Sequence, residues 1–182
     1  ALFIIKCFDI NAVKNCIDIG SGGGIPAIPL AIYAPQLKIT ACDSVGKKMK
    51  AVESIIQDIG LKNICTKVSR AEELAKEKEY FEQFDTACAR AVASLPTLLE
   101  YLSPFVRVNG TVIVYKGKDV QEELQKSKKA QESLSLQLDS IHQFELPEDA
   151  GSRSILLFKK IQNISNVYPR KVGMAKLKPI QI

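Results

Sequence analysis

The run Asp18-Ile19-Gly20-Ser21-Gly22-Gly23-Gly24-Ile25-Pro26 follows an apolar stretch that reads as a strand and precedes one that reads as a helix. A second apolar run, Ile39-Thr40-Ala41-Cys42, ends at the acid Asp43, with Ser44 next. A strand, a glycine loop, a helix and an acid at the next strand's end form the arrangement by which an α/β sheet holds a nucleoside-containing cofactor. Glycines let the ligand approach backbone where a Cβ would collide, and they supply positive φ for the turn. Loop amides and the following helix N-terminus can then face a carboxylate or a ribose. A carboxylate at Asp43 can accept hydrogen bonds from both ribose hydroxyls.

The glycine spacing narrows the cofactor. A dinucleotide fingerprint, G-x-G-x-x-G, places its third glycine where this chain has the bulky Ile25. Gly20, Gly22 and Gly24 form G-x-G-x-G instead, which suits a cofactor without a pyrophosphate and points to S-adenosylmethionine. A phosphate loop of the G-x-x-x-x-G-K-[ST] type is absent. The competing reading is a glycine-rich turn with no ligand, and Asp43 read alone is a solvated strand end.

Methyl transfer needs an acceptor, and different acceptors demand different residues. An exocyclic base amine is commonly handled by [DN]-P-P-[YF] after the fourth strand, where this chain has Ala89-Arg90-Ala91-Val92-Ala93-Ser94. A ring carbon commonly needs a nucleophilic cysteine, and Cys88 reads as buried strand core. Guanine N7 carries a free lone pair and no proton to remove, so alignment and electrostatics suffice. Arg90, at the end of the fourth strand, is the expected catalytic group, orienting the cofactor or bonding guanine O6; its bland reading is a surface salt bridge.

The elements that must position these residues alternate. Strands are expected over Asn15–Gly20, Lys38–Cys42, Asn63–Val68, Phe84–Ala89, Thr111–Tyr115, Leu136–Phe144 and Ser154–Lys159. Helices are expected from near Pro26, over Val45–Ile59 with Gly60 closing it, from a Ser94 cap to about Phe105, and from Val120 to about Ser133. Pro147-Glu148-Asp149-Ala150-Gly151 reads as a hairpin connection. The fold class is α/β: a doubly wound, Rossmann-like sheet of seven strands, mostly parallel, with an antiparallel C-terminal hairpin. Residues 1–161 are expected to form one domain and 162–182 an extended basic tail.

With 182 residues the chain suffices for one well-cored domain. No apolar run approaches the ~20 residues that cross a bilayer. Leu2–Ile5 is too short for a signal-peptide core, so a cytoplasmic protein is expected. Five cysteines, no C-x-x-C and a single His142 give no metal-ligand spacing, so no metal is expected. A net charge of +5 permits an anionic partner without demanding one. Lys47, Lys48, Lys116, Arg170 and Lys171 are candidates for a phosphate-contacting rim; each lysine alone also reads as a solvated surface group.

Asp18-Ile19-Gly20-Ser21-Gly22-Gly23-Gly24-Ile25-Pro26-Ala27-Ile28-Pro29-Leu30 resembles the D-[VI]-G-[ST]-G-x-G-x-P-G-[IL]-P-L signature of the glucose-inhibited division protein B (RsmG) family. The likeness continues at Asp43-Ser44-Val45-Gly46-Lys47-Lys48, Ser69-Arg70-Ala71-Glu72-Glu73, Ala89–Leu95, Lys116-Gly117, Tyr168-Pro169-Arg170-Lys171-Val172-Gly173 and Lys178-Pro179-Ile180. The resemblance implies S-adenosylmethionine-dependent N7-methylation of a guanine in the decoding-region loop of 16S ribosomal RNA. It also implies that Gly20 and Ile25 line the cofactor site, that Ala71 and Glu72 contact the adenine, that Asp43 holds the ribose and that Arg90 shares the pocket. Ribosomal RNA or the small subunit is the implied partner, and a monomer is expected. Two departures stand out: no H-x-x-D-S stretch precedes the first strand, and Ala27 replaces the usual glycine after the first proline.

Overall fold

The computed structural model describes residues 1–90, 92–118, 120–148 and 151–181. Ala91 of the Arg90 motif, and Asp149 and Ala150 of the expected hairpin connection, lie outside them. Seven strands form one sheet: β1 Asn15–Ile19, β2 Lys38–Asp43, β3 Ile64–Val68, β4 Phe84–Arg90, β5 Val106–Lys116, β6 Leu136–Glu145 and β7 Ser152–Lys160. Their spatial order is β3-β2-β1-β4-β5-β7-β6. The first five run parallel, and β7 is antiparallel to both neighbours. This is the doubly wound, mostly parallel sheet with an antiparallel end that the strand pattern implies.

The period of two along each strand divides the core in two. Ile17, Ile19, Val112, Val114, Leu156 and Phe158 face one side, where they meet α4 Leu95–Leu102, α5 Gln121–Lys126 and α6 Lys128–Ser133. Cys16, Ile113, Ile155 and Leu157 face the other, against α1 Ala27–Tyr33 and α2 Gly46–Asp58. Short 3-10 turns over Leu2–Lys6 and Ile10–Ala12 add buried Ile4 and Ile10 to this second layer. Leu98 and Phe105 are fully buried. Each such side chain contributes on the order of 1.5–3 kcal/mol.

Several boundaries moved for local reasons. The helix expected over 120–133 is broken at Ser127, whose buried hydroxyl donates to Leu124 O at 2.8 Å. Ser94 does stand at the N-cap of α4, but its hydroxyl bonds Thr97 Oγ1 instead of a backbone amide. The Leu95 amide is taken by Glu123 Oε2 at 2.6 Å. β5 begins earlier than expected, at Val106, and passes Asp85 so closely that a Cβ on Gly110 would lie 2.6 Å from its carbonyl oxygen.

The segment after β7 differs most. An extended tail is expected there; the structure packs it onto the domain and gives it a helical turn, α7 Met174–Leu177. It starts from the fully buried Lys160, whose ammonium donates to Glu82 Oε1 (2.7 Å) and Ser103 O (2.8 Å). Glu82 Oε1 also accepts from the Ile164 amide. Ile164 is buried, and Tyr168 and Ile180 pack against the α4 core.

Candidate active site

The glycine loop sits where β1 ends. The Gly20 and Ser21 amides both donate to Cys42 O, at 2.8 and 3.0 Å, tying the loop to β2. Asp43 completes the tie. Its Oδ2 accepts from Gly22 N at 3.0 Å and its Oδ1 from Val45 N at 2.9 Å. One carboxylate therefore holds the loop and the start of α2, with lone pairs left for a ligand. Gly20 has φ +71° and Gly22 φ +59°, and a Cβ on Gly20 would lie 2.6 Å from Val92 Cγ2. Only glycine satisfies both the turn and the close approach.

A cleft of about 200 Å³ opens beside this loop, lined by Gly20, Asp43, Ser44, Ala71 and Glu72 among others. Glu72 belongs to the short helix α3 Ala71–Leu74 and is buried. The opposite wall carries Tyr101 from α4 and Lys176 from α7. Long-range hydrogen bonds hold α7 in place. Gly173 N donates to Glu72 Oε1 at 2.8 Å, and Thr97 Oγ1 donates to Ala175 O at 3.0 Å. Arg170 grips the buried Glu100 with two bonds, Nε to Oε1 at 2.7 Å and Nη2 to Oε2 at 2.5 Å.

Beneath the loop lies a buried polar cluster. Asp18 Oδ1 accepts from the Cys88 thiol at 3.6 Å, and Cys88 Sγ stands 3.9 Å from Cys16 Sγ. The Ser21 hydroxyl is buried in the same cluster, close enough to the Asp18 carboxyl to favour its charged form. Burial raises the Asp18 pKa to about 6, although the Ser21 and Cys88 side chains and the Arg90 charge pull the other way. A buried acid under a glycine cradle fits a cofactor that carries positive charge.

The structure gathers Gly20, Asp43, Ser44, Ala71 and Glu72 in the cleft lining. The other expected cofactor residues stand outside it. Gly22 contributes its amide to Asp43. Gly24 is packed so that a Cβ would strike Ile28 Cδ1 at 2.5 Å, a role in seating α1. Ile25 is half-exposed and absent from the lining. Arg90, exposed at the end of β4, lines a neighbouring cavity instead.

Of the rim candidates, Lys47, Lys48 and Lys171 are exposed. Lys116 and Arg170 are not free cations. Lys116 Nζ donates to Ala93 O (2.9 Å) and Glu123 Oε2 (2.7 Å), and Arg170 is held by Glu100. Lys176 belongs to the expected basic tail, but neither it nor Tyr101 is marked by a local motif as a cleft residue, and each reaches the cleft only through packing. Among the described residues no helix is long and apolar enough to cross a membrane, and no group of three or more His, Cys, Asp or Glu could hold a metal ion.

The family model for GidB, rRNA small subunit methyltransferase G, matches residues 1–155. The chain belongs to this family. Ribosomal RNA small subunit methyltransferase G of Desulforamulus reducens is 38% identical over 180 residues, covering 99% of this chain and 75% of that protein. The protein of the same name from Acetivibrio thermocellus is 42% identical over 164 residues, covering 90% of this chain and 67% of its own length. The Desulforamulus alignment is long enough to run past residue 155 into the segment that walls the cleft.

Solved structures resemble the fold at much lower identity. A SAM-dependent methyltransferase from Methanosarcina mazei superposes with a TM-score of 0.68 at 14% identity, over 90% of this chain and 99% of its own. M. jannaschii TYW2 in complex with AdoMet superposes with a TM-score of 0.62 at 15% identity, over 83% of this chain and 71% of its own.

Proposed function

We propose that the chain is a methyltransferase that carries the methyl group of S-adenosylmethionine to N7 of a guanine in 16S ribosomal RNA. The observation that carries this is the cleft between the Gly20 loop and Asp43, in a chain of the rRNA small subunit methyltransferase G family. S-adenosylmethionine supplies an electrophilic methyl on a sulfonium. Asp43 faces the cleft as the acceptor for ribose hydroxyls, with its geometry set by the Gly22 and Val45 amides. Ala71 and Glu72 form the adenine side. Gly22 and Gly24 act by shaping the loop, and Ile25 by closing its end. Asp18, beneath the loop, favours positive charge above it.

Guanine N7 has no proton to lose, so the reaction requires no general base. The residues need only exclude water, align donor and acceptor and hold charge in place. Arg90, at the sheet edge beside the cleft, serves that alignment. Exposed Lys47, Lys48 and Lys171 are suited to ribosomal phosphates. Residues 1–161 form the methyltransferase domain, and 162–182 the extension that completes its cleft. The protein works as a monomer in the cytoplasm, where its substrate is made.

The test is transfer of labelled methyl from S-adenosylmethionine to small subunits taken from cells lacking this gene. Label in 16S RNA supports the reading. Label absent from the RNA at enzyme concentrations that saturate the cofactor overturns it.

A further inference from the structure

Lys116 ends β5, and its side chain is 11% exposed. By the alternation along β5 it shares a face with Val112 and Val114, the face on which α4 and α5 pack. Ser154, directly opposite on β7, lies on that face too, and its buried hydroxyl has no hydrogen-bond partner. The Lys116 ammonium therefore does not turn toward β7. It turns to the connection between β4 and α4, donating to Ala93 O (2.9 Å) and to Glu123 Oε2 on α5 (2.7 Å). The same Glu123 oxygen accepts from Leu95 N, the first amide of α4, at 2.6 Å.

These bonds reach the cofactor cleft along two routes. Ala93 lines the cleft itself, and its neighbour Val92 packs on the glycine loop, where a Cβ at Gly20 would meet Val92 Cγ2. Fixing the Ala93 carbonyl and the Leu95 amide thus fixes the wall that faces the loop. The second route runs through the first turn of α4. Thr97 Oγ1 donates its one proton to Ala175 O, so the Ser94 hydroxyl, 3.1 Å away, donates to Thr97. Ala175 precedes Lys176, and α4 carries Tyr101; both Lys176 and Tyr101 line the cleft. Burying an ammonium carries a desolvation cost that a packed apolar side chain avoids, so such a pair is a weak source of stability. What it supplies is direction: charge-assisted bonds aim the start of α4 at one point.

We propose that Lys116 and Glu123 are positioning residues for methyl transfer, setting the start of α4 and through it the walls that align S-adenosylmethionine. The proposal rests on the methyltransferase reading above. Neither residue is among the cleft-lining residues described, so each acts through Ala93, Leu95 and the α4 turn. Lys116 is thereby assigned to the cofactor side of the reaction and taken out of the phosphate-contacting rim.

The experiment compares wild type, Lys116→Met, Lys116→Arg and Glu123→Gln. It measures methylation of small subunits at saturating S-adenosylmethionine and calorimetric binding of S-adenosylhomocysteine, with melting curves to keep every assay below the unfolding range. Lys116→Met is expected to lower kcat about tenfold and cofactor affinity at least threefold, with subunit KM within twofold of wild type. Its slope of log affinity for RNA against log salt should match wild type. Lys116→Arg keeps the charge and the donors and should recover part of kcat. Glu123→Gln keeps an acceptor for one of its two donors and should show a smaller loss of the same kind. It carries the test should Lys116→Met not fold. A raised subunit KM and a salt slope smaller by about one, with kcat and cofactor affinity unchanged, would make Lys116 a phosphate contact and overturn the proposal. Wild-type kcat and cofactor affinity in Lys116→Met and Glu123→Gln would overturn it too. A wild-type protein that binds S-adenosylhomocysteine but methylates no subunit RNA overturns the methyltransferase reading, and the affinity comparison still decides the positioning claim.

Discussion

Glu72 and Gly173 lie 101 positions apart in the chain and meet at 2.8 Å, the glycine amide donating to the carboxylate Oε1. That contact joins the Glu72 side of the cleft to the C-terminal segment. The segment is thus a wall of the site, and its anchors should matter for both stability and cofactor binding. Arg170→Ala strips Glu100, 1% exposed, of its partner. Removing one member of such a pair is expected to cost about 3 kcal/mol in urea unfolding. Cofactor affinity should fall with it, as α7 loosens from the cleft. Unchanged unfolding midpoints would show that the pair carries no load.

Two variants separate the structural role of Asp43 from its proposed role toward the cofactor. Asp43→Ala removes the acceptor for the Gly22 and Val45 amides, which is expected to cost about 1–2 kcal/mol of stability. It also removes the acceptor proposed for the ribose hydroxyls, so S-adenosylhomocysteine affinity by calorimetry should drop tenfold or more. Asp43→Asn keeps one acceptor oxygen and should recover much of the stability but less of the affinity. Wild-type affinity in either variant would remove Asp43 from the cofactor site.

Gly20→Ala tests the loop itself. The new methyl meets Val92 Cγ2 at 2.6 Å, and the backbone at φ +71° disfavours any side chain by about 1–2 kcal/mol. Cofactor affinity is expected to fall at least tenfold, measured beside a melting curve that locates the loss in the loop or in the whole fold.

Asp18 makes stability depend on pH in a direction opposite to that of most carboxylates. Burial raises its pKa from 3.8 to about 6, so the folded state keeps its proton longer than the unfolded state does. As pH rises from about 4 to about 6, the unfolded chain releases the proton first, and folding becomes less favourable. The full loss is at most about 3 kcal/mol and persists above pH 6. Asp18→Asn should flatten this slope in denaturant unfolding of the ligand-free protein. Parallel curves for both proteins across that window would contradict the assignment.

The parts of the site legible in the sequence are those written by short-range rules. Gly20, Asp43 and the alternation of Val112 to Tyr115 each follow from local geometry: positive φ, the end of a strand, a period of two. What stayed hidden depends on contacts between distant residues. Arg170 and Lys116 look like free cations until Glu100 and Glu123 are placed beside them. Tyr101 and Lys176 reach the cleft only because α4 and α7 pack together. Arg90 carries a motif, but the motif does not say which of two adjoining cavities its side chain enters.

The most direct test is position-resolved detection of N7-methylguanine in 16S RNA, after wild-type protein and S-adenosylmethionine act on small subunits from cells lacking the gene. A single new methylated guanine that requires the protein is the expected result. Methylation at another atom, on another RNA, or at no position would contradict the account.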